Sequence, residues 1–184
     1  MLSKIVLILA AATSLSQAFQ VPAGAQDGAY IYDTATNSHS LIGGNSTTVD
    51  VGPPSNFDAT KRAGGSARLS ERGFPWWSCS GTVVGGLDWA SAMQIFKPNC
   101  DDTQYEGGQH LYAKYGEAMI FQCNYDASTC DLGDPSAQIS GQVLWELSLV
   151  DSTCGSVAPT KKAGWRHISS SLSIGQASVI DIAC

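Results

Sequence analysis

Every cysteine and every tryptophan in this chain follows one dibasic pair, Lys61-Arg62. The six cysteines are Cys79, Cys100, Cys123, Cys130, Cys154 and Cys184, and the five tryptophans are Trp76, Trp77, Trp89, Trp145 and Trp165. Before the pair stand an apolar leader and a Gly/Ser/Thr/Asn-rich stretch with neither residue type. Crosslinks and large aromatics are the main resources of a small core, so folding is expected on the C-terminal side of the pair. A leader, a polar stretch, a basic cleavage sequence and a cysteine-bearing module together have the layout of a secreted preproprotein.

Lys4 supplies a positive n-region, Ile5 to Ala12 an apolar core, and Ser16-Gln17-Ala18 the small residues that signal peptidase reads. Residues 1–18 are therefore expected to be a signal peptide cut after Ala18. The apolar run falls well short of the ~20 residues that span a bilayer, and no later segment is long and apolar enough. A secreted, extracellular protein without stable membrane insertion is expected.

Residues 19–62 are polar and turn-rich, with Pro53-Pro54 and few large apolar groups. Such a segment offsets little of its own ordering entropy, and a largely unstructured propeptide is expected, with at most one short strand at Tyr30-Ile31-Tyr32. Asn45-Ser46-Thr47 is the sequence's one N-glycosylation sequon. Lys61-Arg62 sits among small residues and at a composition boundary, which favours cutting by a kexin-like protease. Arg72 is a weaker second processing candidate.

Residues 63–184 are long enough for one domain with a modest core, with a folded part expected from about residue 74. Six cysteines in an oxidising compartment imply three disulfides, and fifteen pairings are open to them. No C-x-x-C or H-x3–5-H spacing occurs, so no metal is expected, nor any other cofactor. From Ala63 onward seven Lys and Arg face twelve Asp and Glu. Such an acidic module is a poor non-specific ligand for nucleic acid or anionic membrane.

Leu87, Ala90, Met93 and Phe96 recur at helical spacing after Gly85-Gly86, and Pro98 is expected to close that helix. A second helix is expected from an Asp134 N-cap and Pro135, with Ile139, Val143, Leu147 and Val150 on one face. Between them, Gln109 to Tyr115 and Ala118 to Tyr125 read as a hairpin turning at Gly116-Glu117, with Met119, Phe121, Cys123 and Tyr125 on one face. Trp165 to Ile168 and Ser178 to Cys184 read as later strands, Ile180, Ile182 and Cys184 facing the same way. The fold class is α+β: an antiparallel sheet with two helices packed on one face, an α/β sandwich stabilised by disulfides.

From Trp77-Ser78-Cys79-Ser80-Gly81 to Ile182-Ala183-Cys184 the module resembles the fungal killer-toxin family whose type member is encoded by a smut-fungus virus. The shared features, in order, are a Cys and Gly turn before a helix ending near Cys100, and the strand and turn Ala113-Lys114-Tyr115-Gly116. An Asx/Thr-rich loop at Asp126-Ala127-Ser128-Thr129-Cys130, a Cys154-Gly155 step, and a Gly175-Gln176 strand running to Cys184 follow. The sequence departs from the family in having fewer cysteines and in adding Cys123. The resemblance implies non-enzymatic toxicity, by calcium-channel block in the type member, and matches Lys114 to a lysine that matters for toxicity there. It implies the pairs Cys79–Cys154 and Cys130–Cys184, leaving Cys100 with Cys123. Similar domains recur among small secreted proteins of plant-associated fungi. A monomeric effector or toxin is expected, with an extracellular protein such as an ion channel or host protein as partner.

Two other classes compete. His110, Glu117, Arg166 and His167 are residue types that small secreted ribonucleases use. Their spacing differs, and adjacent strand residues such as Arg166 and His167 point to opposite faces. No Gly-x-Ser-x-Gly elbow, phosphate loop or zinc-protease motif occurs, so catalytic residues are expected to be none. Trp76 and Trp77 suit a carbohydrate, cell-wall or partner-binding surface, although core packing of at least one is the simpler expectation. The dibasic pair makes a direct prediction: the secreted form should begin at Ala63 or soon after, as read by intact-mass analysis of culture filtrate from a kexin-competent host. A dominant species beginning at Phe19 would contradict it.

Overall fold

The computed structural model describes residues 18–43, 49–50, 76–101, 103–126, 128–130 and 142–184. The leader before Ala18, Asn45, Lys61-Arg62, Arg72 and the Asp134-Pro135 helix start lie outside the described residues. In chain order the elements are β1 (Gly28–Asp33), β2 (Ser38–Leu41), β3 (Val49–Asp50), β4 (Trp76–Val84), α1 (Gly86–Cys100) and β5 (Thr103–Tyr105). They continue with β6 (Gln109–Tyr115), β7 (Ala118–Asn124), β8 (Ser128–Cys130), α2 (Gln142–Cys154), β9 (Lys161–His167) and β10 (Leu172–Ser178). An eight-stranded antiparallel sheet runs β3-β2-β1-β6-β7-β10-β9-β4, and β5 pairs with β8 in a separate two-stranded sheet.

The hairpin forms where the alternation places it. β6 and β7 pair from Leu111↔Gln122 to Tyr115↔Ala118, turning through Gly116 at φ 55°, a left-handed conformation that glycine adopts at little cost. Met119, Phe121 and Cys123 join one cluster, partly buried Tyr125 packs against it, and Ala118 and Ile120 join the other. β7 is buried along its whole length, as is β10 beside it. The cluster with Ala118 and Ile120 also takes in Ala92, Met93, Phe96 and Cys100 of α1 and Val143 and Leu147 of α2. The second cluster, with Met119, Phe121 and Cys123, is closed by Phe19, Val21, Tyr30, Tyr32 and Ala183.

That second cluster overturns, for residues 19–43, the expectation of a largely unstructured segment and of a fold that begins near residue 74. For 19–43 the chain is part of the sheet: β1 pairs with β6 over Gly28↔Lys114 to Asp33↔Gln109, and β2 extends it. The polar composition hid this because a few aromatic residues carry the packing and the partner strand supplies the hydrogen bonds. The strand expected at Tyr30-Ile31-Tyr32 is present within β1.

Helix α1 continues through Pro98 to Cys100 instead of stopping there. Proline lacks the N–H that would bond one turn back, but in the last turn the surrounding bonds remain. Asp101 N donates to Lys97 O at 3.1 Å, and Asn99 Nδ2 to Ile95 O at 2.8 Å. Its buried face is Ala92, Met93, Phe96 and Cys100, so Leu87 (86 % exposed) and Ala90 fall outside it. The last strand is Leu172–Ser178, not Ser178 to Cys184. Past it the chain makes a single bridge, Phe19↔Ala183, and Ile180 is 72 % exposed. Cys79 to Gly81, which the resemblance implies is a turn before a helix, lies within edge strand β4, with Gly81 at φ 83° where pairing with β9 shifts register between Cys79 and Val83.

Cys79–Cys154 joins edge strand to helix end as the family resemblance implies, but the other two pairs are exchanged. They are Cys100–Cys130 and Cys123–Cys184. Cys100 ends α1 and Cys130 ends β8, which pairs with the strand just after α1, so those two are close. Cys123 lies on the face crossed by the C-terminal tail, which brings it to Cys184. Opposite the first bridge, a Cβ on Gly164 would lie 2.5 Å from Cys154 Sγ and 2.9 Å from Ser78 O. Cys79–Cys154 spans 75 residues, so the Cys79→Ala/Cys154→Ala variant should lose about 4 kcal/mol of stability, read as a lower urea midpoint. An unchanged midpoint would show that the bridge is not formed.

Candidate functional site

Two regions bring the candidate residues together. The first lies at the β4 edge of the sheet, where Trp76 pairs with His167 and Trp77 with Arg166. Neighbouring residues on a strand face opposite ways, and the two pairs meet different surroundings. Trp76 stacks on His167 with centroids 3.7 Å apart, while Trp165 Nε1 donates to His167 Nε2 at 2.7 Å. That fixes the proton of the neutral ring on Nδ1, which reaches Ser173 Oγ at 2.6 Å. On the other face the Arg166 guanidinium lies 4.8 Å from the Trp77 ring centroid and forms an ion pair with buried Glu146 of α2. Trp76 and Trp77 are both half-buried, so neither ring is a free aromatic platform.

The second region is the β6–β7 turn, with Lys114 at its base. Lys114 Nζ donates to Asp27 Oδ1 at 2.6 Å, and the Gly116 amide donates to the same oxygen at 3.0 Å. The Lys114 bond holds the Asp27 carboxyl below the usual carboxylate range, with Gly116 assisting. From α1, Asp88 Oδ2 accepts the Glu117 amide at 3.2 Å. Two carboxylates thus hold one tight turn, leaving Tyr115 40 % exposed at its tip.

The four residues of the ribonuclease-like set do not converge. His110 is wholly buried among Phe19, Tyr32 and Tyr125, and its Nδ1 accepts the Asn124 amide at 3.1 Å. Glu117 is exposed in the turn, and Arg166 and His167 face away from each other. What the sequence reading missed is the alignment of all three histidines across the sheet. His39, Tyr32 and His110 stand opposite one another on β2, β1 and β6, and Cys123, Ser173, His167 and Trp76 on β7, β10, β9 and β4. Only the strand order reveals such a row. His39 Nδ1 lies 2.8 Å from Tyr112 Oη, whose phenol burial keeps protonated far above its ordinary range.

A polar network ties both helices to the sheet. Fully buried Gln176 donates from Nε2 to Asp151 Oδ1 at 2.6 Å and to Lys162 O at 3.0 Å, and its Oε1 accepts from Trp89 Nε1 at 2.7 Å. Lys161 is ion-paired with Asp151 and lies 4.4 Å from the Trp89 ring centroid. Among the described residues no group of three or more His, Cys, Asp and Glu side chains is placed to hold a metal ion, and no helix is long and apolar enough to cross a membrane.

Burial pulls His39 and His167 down from 6.5 to about 4. The unfolded chain therefore takes up both protons near pH 6.5 and the folded chain only near pH 4. Their contribution is complete above the higher value and is lost as pH falls through this window, by on the order of 2–3 kcal/mol per ring. Urea midpoints should drop between pH 7.5 and 4.5, and the drop should shrink in the His39→Gln/His167→Gln variant; equal drops in both would refute the assignment.

No protein-family model, curated protein or solved structure matches this chain.

Proposed function

We propose that the protein is a secreted fungal effector or toxin, killer-toxin-like, that binds an extracellular protein on host or competitor cells without turnover. The observation that carries this reading is that the candidate acid–base groups stand apart, with His110, His167 and Arg166 each engaged by other partners. His110 is packed in an aromatic cluster, His167 is held by Trp165 and Ser173, and Arg166 is neutralised by Glu146. Three disulfides suit an oxidising, extracellular setting and a rigid scaffold. We read the architecture as an α/β sandwich with both helices over one face. Its support is that residues of both helices share a cluster with Leu111, Ala113 and Ile120, while Tyr112, Met119 and Phe121 meet Phe19 and Ala183 in another.

The binding surface in this reading centres on the β6–β7 turn. Tyr115 and Glu117 are presented there on a backbone pinned by Asp27 and Asp88, with Lys114, its side chain 13 % exposed in the ion pair with Asp27, at the base, so little ordering is left to be lost on binding. The purified secreted protein should cause cell death, growth arrest or calcium influx when applied to plant tissue or competing fungi. Lys114→Glu should reduce that effect at least tenfold with circular dichroism unchanged, whereas Lys114→Arg, which keeps the positive charge beside Asp27, should not. No loss in the Lys114→Glu variant would take this turn out of the binding surface. Cleavage of RNA by the wild type, abolished in a folded His167→Gln variant, would replace this reading with a ribonuclease-like one.

A further inference from the structure

No cysteine precedes Cys79, so no disulfide links residues 19–43 to the rest of the chain. A cut at Lys61-Arg62 would leave this segment attached by non-covalent contacts alone. Those contacts are of the kind found inside a domain. Phe19 is 4 % exposed, with its ring centroid 4.9 Å from Tyr32 and 5.0 Å from Tyr112. Tyr30 stacks on Tyr112 at 5.0 Å and 8°. His39 bonds the same tyrosine's hydroxyl, and β1 adds a complete ladder to the edge of β6. Phe19 N donates to Ala183 O at 2.9 Å and Ala183 N to Phe19 O at 3.0 Å, so the amine freed by cutting after Ala18 falls at a built hydrogen-bonding position.

The module without this segment would be left with defects. Tyr112 and His110, both at 0 % exposure, would face solvent along with the unpaired backbone of β6. A long open strand edge bearing aromatics is a site for aggregation. Asp27, the partner of Lys114 and of the Gly116 amide, would also be gone.

We propose that the edge of β6 and the aromatic face around Tyr112 form a binding site for the chain's own residues 19–43. After cleavage at Lys61-Arg62 the segment remains as a second, non-covalently bound polypeptide that completes the sheet. The mature protein is then a two-chain molecule, and the segment is a permanent light chain that supplies strands and the Asp27 clamp under Lys114. This is strand addition in which the donor comes from the same gene product. The proposal rests on the processing reading for its natural cut, but not for the docking itself.

The two are separated by experiment. Protein secreted by a kexin-competent host is weighed under denaturing and under native conditions. In parallel, full-length protein with residues 59–64 replaced by the recognition sequence of a site-specific protease is cut in vitro until denaturing mass shows two polypeptides. The expected result is one native species containing both chains at micromolar concentration, co-eluting in gel filtration, in both samples. The clipped Phe19→Ala/Tyr32→Ala variant should release its segment at least tenfold more readily. A kexin host that yields only uncut chain, with the in vitro clipped sample still intact natively, removes the processing reading and leaves docking standing. A clipped wild-type sample that sheds the segment while the remaining chain stays folded, monomeric and soluble overturns the proposal.

Discussion

Burial of β7 on both faces is the constraint from which the rest of the architecture follows. Ala118 to Asn124 is covered throughout, and a strand in that position needs one apolar layer on each side of the sheet. One cluster takes in residues of α1 and α2, and the other, around Met119, Phe121 and Cys123, takes in Phe19, Val21 and the C-terminal tail. The tail is held by Cys123–Cys184 and by Asp181, which accepts from Thr82 Oγ1 at 3.1 Å and from the Ser178 amide at 3.1 Å. The Phe19↔Ala183 bridge then joins the two ends of the described chain over this face.

The same double burial explains why so much polar chemistry lies inside the sheet without forming a reactive centre. A central strand places every side chain under cover, so each polar group there must find a partner or cost stability. Gln176 satisfies this with Asp151, Lys162 and Trp89, and His167 with Trp165 and Ser173. His39 and His167 are neutral hydrogen-bonding elements of a transverse row, and their low proton affinity follows from burial. The β6–β7 turn is the contrasting case, with exposed side chains on a backbone fixed by two carboxylates. Rigidity beneath an exposed turn is a property that recognition uses.

Part of this was legible in the residues. The hairpin and its turn followed from Gly116 between two alternating runs, and Val143, Leu147 and Val150 marked the buried side of α2 because their spacing follows the helical period. The even cysteine count, with the N-terminal segment read as a secretory signal, indicated crosslinking, and all six cysteines are bridged. The candidate residues were named, but not their surroundings. Trp76, Trp77, His110, His167 and Lys114 all proved to be engaged, because a strand residue's partners come from distant segments.

Sequence by itself determined local periodicity, turn chemistry and redox class, since these depend on neighbours within a few residues. Tertiary structure alone decided which cysteines meet, because proximity of Cys123 to Cys184 depends on how the tail crosses the sheet. It alone carried α1 past Pro98, where side-chain and terminal hydrogen bonds offset a missing donor. It also decided the fate of residues 19–43. Their composition is too poor in apolar groups to fold alone, and they are ordered because β6 offers an open edge and Tyr112 a face for Phe19, Tyr30 and His39. A strand whose hydrogen bonds and apolar contacts are supplied almost entirely by its partner leaves little trace in its own sequence.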